Sequence, residues 1–284
     1  MLKKIKDFNE LVAFEHTIFS VPFMLVALVC ASLQKNQSMW MGADVLILCA
    51  LALVFARNFA MAFNRYVDRD IDALNERTQG RPSVDGRVSE KQMLILIVCN
   101  AAGFILVSFF INQLAFLLSI PFLFILGTYS FMKRFSYLAH LMLGLSLGLA
   151  PTAGSIAILG DIPLWCIALS IGVLFWVAGF DLLYSLQDIK FDQKHRLHSI
   201  PAIFGEGKTL KISRVFHSLT ILFWFIFMQE FGFGVVAYIA LIVCALILLY
   251  EQWLVSRDFK NIPKAFFVTN GYLGFVFLCG VMLD

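Results

Sequence analysis

The chain has 284 residues, 60% hydrophobic and only 14% charged, with a mean hydropathy of +0.84 and a formal net charge of +3. That balance lies outside the range of soluble globular domains and marks an integral membrane protein. Nor does it leave the concentrated basic surface that nucleic-acid recognition requires.

Windows of about 20 apolar residues, enough to cross the hydrocarbon core, fall near 14–33, 44–64, 92–111, 113–131, 138–159, 163–183, 212–229, 231–250 and 265–283. The pattern predicts one all-α domain over residues 1–284, a polytopic bundle of nine transmembrane helices. Ahead of the first span, Leu2, Ile5, Phe8, Leu11 and Val12 recur at helical spacing between charges, which predicts a helix lying in the membrane interface. No small-residue cleavage site follows that span, so it reads as a retained helix. Pro22 in the first span and Pro151 in the fifth mark candidate kinks. The six cysteines (Cys30, Cys49, Cys99, Cys166, Cys244 and Cys279) all fall in apolar windows without CxxC spacing and read as buried thiols that pack as small hydrophobes.

All of the 22 Lys and Arg except Lys35 and Arg57 fall on one side of these spans. Positively charged loops remain in the cytoplasm, so the N-terminus and the loops after the second, fourth, sixth and eighth spans are expected there, in a bacterial-type inner membrane. Two of those loops, about 65–91 and 184–211, are long and polar.

Each of these two loops opens on carboxylates. Asn64, Asp68 and Asp72 recur every four residues in NRYVDRDID, and Asp181, Asp188 and Asp192 occupy DLLYSLQDIKFD. At 100° per residue the first trio shares one helical face across about 12 Å, which leaves Asp70 off that face. Arg57, Asn64 and Asp68 are spaced by seven and four residues, and Asp181, Asp188 and Asp192 repeat that spacing 124 positions later. Carboxylates beside hydrocarbon are costly unless they hold a cation or face a polar cavity. Hard divalent ions prefer such oxygens and share their shell with substrate phosphates, so the clusters point to Mg²⁺ and a diphosphate at the membrane edge. Cations surround them: Arg65, Arg69, Arg77, Arg81 and Arg87 in the first loop, Lys190, Lys194 and Arg196 in the second, and Lys133 and Arg134 after the fourth span. Positive-inside topology alone accounts for any single one of these, but it does not ask for the aspartates. Asp85 and Glu76 read as solvated loop residues, and His16, His140, His195, His198 and His217 show no metal-ligand spacing. Arg57 and Asp181 each lie about two turns inside their windows, where an unpaired charge is strongly disfavoured. They are expected to face each other or a polar substrate group.

With NRYVDRDID, GRPSVDGRVSE, TYSFMKR at 128–134 and FDLLYSLQDIKFDQKHRLHSIPAIFG at 180–205 in this order, the chain resembles the UbiA superfamily of intramembrane aromatic prenyltransferases. The resemblance implies that Asn64, Asp68, Asp72, Asp188 and Asp192 hold Mg²⁺, and that Tyr129 and Lys133 form the family's YxxxK element. It implies further that a polyprenyl diphosphate ionises there and alkylates an aromatic acid, in respiratory quinone biosynthesis. On that reading Arg69, Arg81, Tyr129, Lys133, Arg134 and Lys194 receive the diphosphate, and Arg57 and Tyr184 the acceptor. Asp68, Asp188, Asp192 and Asp181 carry the catalysis, Asp188 or Asp181 serving the ring. The group it resembles most is the 4-hydroxybenzoate polyprenyltransferase-like one. EHTIFSVPF and KHRLHSIPAIFG look more like the subgroup assigned to futalosine-route menaquinone synthesis, which offers 1,4-dihydroxy-6-naphthoate as the alternative acceptor. From another class, a cation-coupled transporter would use the same aspartates, but it predicts acids near the midplane on broken helices rather than at the membrane edge.

Overall fold

A computed structural model describes residues 2–284, and the side chains of residues 6–13 and 17–284. The sequence readings on the side chains of Leu2, Ile5 and His16 fall outside those described. The helices, in chain order, are α1 (Leu2–Leu11), α2 (Val21–Asn36), α3 (Ala43–Val67), α4 (Arg69–Asp72), α5 (Glu90–Ile111), α6 (Gln113–Met132), α7 (Ala139–Leu159), α8 (Leu164–Ser185), α9 (Ile189–Lys194), α10 (Ile200–Phe231), α11 (Val235–Arg257), α12 (Ile262–Lys264) and α13 (Asn270–Leu283). Among the described residues there is no strand, and nine helical stretches are long and apolar enough to cross a membrane. They follow the nine apolar windows in order, so this is a multi-pass membrane protein.

The largest departure is at the seventh window. α10 starts at Ile200, twelve residues ahead of the apolar run, because Ser199 caps it by accepting from the Ala202 N–H and Pro201 suits its first turn. The chain turns sharply at Gly205, whose φ of 76° a side chain would oppose. The expected loop 184–211 is therefore largely helical. Pro22 does not kink the first span. It sits in the first turn of α2, where its missing N–H costs nothing, and a 3₁₀ turn at Phe14–Phe19 precedes it. Pro151, by contrast, lies inside α7.

The chain forms two compact units. The first runs up to Thr17 and over Gly42–Phe131. In it α3, α5 and α6 share a core of Phe59, Ala62, Ile97, Phe104, Leu123 and Leu126. α5 starts from a capping box between Ser89 and Gln92. The amphipathic α1 forms as expected, but its apolar face is covered by protein. Leu11 is fully buried against Val88 and Met93, with Phe8 beside it, because the start of α5 presents a matching apolar surface.

The second unit comprises Ile18–Met41 and Met132–Asp284. α7 and α8 approach closely because Gly144 and Gly148 carry no Cβ: one there would meet the carbonyl oxygens of Leu174 and Ser170 at 2.3 and 2.8 Å. Phe23, Trp176, Trp224 and Phe277 fill the interior around α2, α8, α10 and α13. Of the cysteines, Cys30, Cys49, Cys166 and Cys244 are buried, but Cys99 and Cys279 are exposed. They sit on outward faces of apolar helices, where lipid tolerates a thiol as readily as a core does.

Candidate functional site

The first acidic cluster forms where α3 ends. Asp68 closes α3 and opens α4 with φ −88° and ψ 3°, yet the i→i+4 ladder continues through it, Asp68 N donating to Asn64 O at 2.9 Å and Asp72 N to Asp68 O at 2.8 Å. The spacing of four is thus a true one-face spacing. Asp68 and Asp72 are buried, at 3% and 4% exposure, while Asp70 points outward. Buried carboxylates of this kind require compensation, and the loop supplies part of it. Asn64 Nδ2 donates to Asp68 Oδ2 at 2.8 Å, which leaves the Asn64 amide oxygen available as a further acceptor. Arg81 Nη1 donates to Asp72 Oδ2 at 2.6 Å, and Thr78 ties the loop down through the Asp72 carbonyl at 2.9 Å.

Arg69 pairs with Glu90 and lies over the Tyr66 ring at 4.4 Å. Arg65 donates to the Leu11 carbonyl at 3.4 Å. Deeper in α3, Arg57 Nε and Asn58 Oδ1 are buried and have no hydrogen-bond partner among the described residues. Asn58 was not singled out from sequence. The signal was there, an amide beside Arg57 inside an apolar window. Tyr129 is half-buried near the end of α6.

Arg87 anchors the far end of the loop. It donates to Glu10 at 2.7 and 2.8 Å, to Asp85 at 2.7 Å and to the Gly80 carbonyl at 2.7 Å, and reaches Asp7 at 3.3 Å. Asp85 is therefore exposed but paired, not simply solvated. The hydrogen bond from Arg87 is the main reason the Glu10 carboxyl is held below its ordinary value, with burial opposing it.

The second cluster is built differently. Between Asp181 and Asp192 the chain is not one α-helix: a 3₁₀ turn at Leu186–Asp188 separates α8 from α9. The spacing of seven between Asp181 and Asp188 is therefore not a run of seven α-helical steps at 100° each. The tighter turn adds about 20° per residue over its three residues, so the two trios repeat in sequence but differ in local backbone. Asp181 Oδ2 meets His140 Nδ1 at 2.7 Å, the imidazole coming from the start of α7 with only 6% of its side chain exposed. Sequence reading set His140 aside for want of metal-ligand spacing, and no local signal joins positions 41 apart. Its Nε2 is buried and without a partner.

Asp188 is half-buried at the junction and opens α9. Asp192 accepts from Ser199 Oγ at 2.7 Å, so one hydroxyl both caps α10 and fixes this carboxylate. The Lys133 carbonyl accepts from His198 N at 2.8 Å, which brings the Lys133–Arg134 segment alongside the same turn. Tyr184 packs on Phe266 with centroids 4.5 Å apart. Lys194 is exposed in the last turn of α9. His195 stacks on Phe191 at 4.3 Å.

Each cluster thus offers hard oxygen donors. Among the described residues no three or more His, Cys, Asp or Glu converge to hold a metal alone. Two carboxylates per cluster, with an amide in the first, suit Mg²⁺, whose shell commonly keeps places for water and phosphate oxygens.

The chain matches the UbiA prenyltransferase family over residues 20–278. A relative from Hydrogenovibrio crunogenus named 4-hydroxybenzoate octaprenyltransferase is 30% identical, over 87% of this chain and 88% of that protein. The apo structure of a UbiA homolog from Aeropyrum pernix K1 superposes with a TM-score of 0.85 at 32% identity, covering 95% of this chain and 98% of that one. A UbiA homolog from Archaeoglobus fulgidus bound to GPP and Mg²⁺ shares the fold at a TM-score of 0.75 and 19% identity, covering 98% of both chains.

Proposed function

Because this chain belongs to the UbiA prenyltransferase family and is a membrane transferase, we propose that it moves a polyprenyl group from its diphosphate to an aromatic acid of the 4-hydroxybenzoate type in quinone biosynthesis. On this reading residues 1–284 work as one enzyme, and each acidic cluster supplies ligands for metal-bound diphosphate on the cytoplasmic side of a bacterial-type inner membrane. The observation that carries it is the buried Asp68–Asp72 pair with Arg81 at 2.6 Å from one carboxylate. Acid and base placed together suit a metal–diphosphate, whereas either alone would repel one half of it.

Asn64, Asp68 and Asp72 in one cluster, and Asp188 and Asp192 in the other, would hold Mg²⁺. When bound, Mg²⁺ neutralises the diphosphate and eases its departure. Arg69, Arg81, Tyr129, Lys133, Arg134 and Lys194 receive phosphate oxygens, stabilising charge as it grows on the leaving group. The allylic C–O bond breaks with its electron pair on the diphosphate, a ring carbon ortho to the hydroxyl forms the new C–C bond, and that carbon loses its proton. Asp181 or Asp188 takes the proton or steadies the phenolate. The orphaned Arg57 Nε and Asn58 Oδ1 are suited to the acceptor's polar groups, with Tyr184 contributing from α8.

The test is prenyl transfer by purified protein in detergent with Mg²⁺ and a polyprenyl diphosphate, offering 4-hydroxybenzoate and 1,4-dihydroxy-6-naphthoate side by side. A Mg²⁺-dependent product from either acid supports the reading and identifies the acceptor. Folded protein that releases no diphosphate with either acid would overturn it.

A further inference from the structure

We propose that the groove between α10 and α11 is a binding site for an anionic phospholipid. It is a cavity of about 600 Å³, lined by Arg214, His217, Ser218 and Ile221 of α10 and by Ala245, Leu248, Leu249, Gln252, Trp253 and Ser256 of α11. None of these residues belongs to the acidic clusters. The cavity opens outward, since Leu249 and Trp253 are 66% and 51% exposed and Arg214 is exposed as well. On a multi-pass membrane protein that outer face meets lipid.

Three features distinguish it from an ordinary gap between lipid-facing helices. First, its floor is polar and fixed. Gln252 Nε2 donates to Ser213 Oγ at 2.7 Å and lies 3.0 Å from His217 Nδ1, and Ser213 passes its own hydrogen to the Gly179 carbonyl at 2.8 Å. That arrangement spends the amide's donor side and leaves Gln252 Oε1, on a residue only 6% exposed, without a partner. A buried amide oxygen left unsatisfied costs about 1–3 kcal/mol, so the groove rests on a polar patch rather than on packed hydrocarbon. Second, Arg214 provides a cation at the mouth, which suits a phosphodiester, while the hydroxyls of Ser218 and Ser256 are turned back to the Arg214 and Trp253 carbonyls at 3.0 and 2.9 Å. Third, Ile221, Ala245, Leu248 and Leu249 continue the groove as an apolar track, the counterpart of an acyl chain. Arg257, stacked over Trp253 at 5.3 Å, adds a second cation at the same end of α11. Charge at one end and hydrocarbon along the rest match an anionic lipid better than a free anion or a zwitterionic lipid.

The experiment titrates phosphatidylglycerol into the full-length protein in neutral detergent and counts retained lipids by native mass spectrometry, with phosphatidylcholine and inorganic phosphate as parallel arms. Wild type is expected to retain phosphatidylglycerol over phosphatidylcholine. Arg214→Ala should weaken that retention about fivefold, the worth of one cation near an anionic lipid, and Arg214→Lys should restore it. Ala245→Phe, which fills the groove without touching a charge, should also abolish the preference. Equal retention of both lipids, an unchanged preference in Arg214→Ala and Ala245→Phe, or displacement of phosphatidylglycerol by inorganic phosphate would each overturn the proposal.

Discussion

The two acidic clusters share an Asp-x-x-x-Asp spacing and are held in place by different means. In the first, Asn64 reaches Asp68 from four residues away, and Arg81 reaches Asp72 from nine residues away. In the second, Asp181 depends on His140 from the preceding span, and Asp192 on a serine that also starts the following helix. A cluster stabilised by its own loop can survive changes elsewhere in the chain. One stabilised by neighbouring helices registers any shift between them, so the second cluster is expected to be the more sensitive of the two to packing changes.

The widest test of that contrast is to remove a carboxylate from each. Asp68→Ala and Asp192→Ala should each lower prenyl transfer by about a thousandfold, the several kcal/mol that metal-assisted charge stabilisation supplies, with thermal melting little altered. Retention of turnover by either variant would mean that one cluster suffices.

Next comes the long-range contact. His140→Ala should reduce turnover by about ten- to a hundredfold, since a hydrogen bond to a charged group is worth about 1.5–3 kcal/mol. His140→Gln, which keeps a donor, should recover much of the loss. If both variants turn over like wild type, Asp181 needs no orienting partner.

The local contact can be weighed by a double-mutant cycle on Asp72 and Arg81. Their side chains are 5% and 25% exposed, and denaturant unfolding should return a coupling of about 1–3 kcal/mol. A coupling near zero would place the loop's stability elsewhere, in Thr78 or Arg87.

The smallest effect concerns the exposed anchor of that loop. Arg87 holds the Glu10 carboxyl below its ordinary value, so this contact contributes fully above the usual glutamate range and is lost as pH falls through the lowered folded value. The melting difference between wild type and Arg87→Ala should therefore be present at neutral pH and shrink below about pH 4. A difference that persists in acid would show that Arg87 acts through the Gly80 carbonyl instead.

Much of this protein was legible along the chain. Crossing a bilayer demands about 20 consecutive apolar residues, so hydropathy alone yields nine spans in their order, and the first carboxylate trio is readable because i→i+4 bonds link Asp68 to Asn64 and Asp72 to Asp68 across the α3–α4 junction. Sequence determined these because they depend on near neighbours in the chain. Other features were decided only by tertiary structure: the pairing of His140 with Asp181, the covering of α1 by Val88 and Met93, the outward placement of Cys99 and Cys279, and the polar floor beneath the groove between α10 and α11. In each of these, the partner lies on another helix or the outcome depends on which face a helix turns inward. In a chain whose helices are apolar all round, periodicity does not mark the inner face; packing against neighbouring helices fixes it.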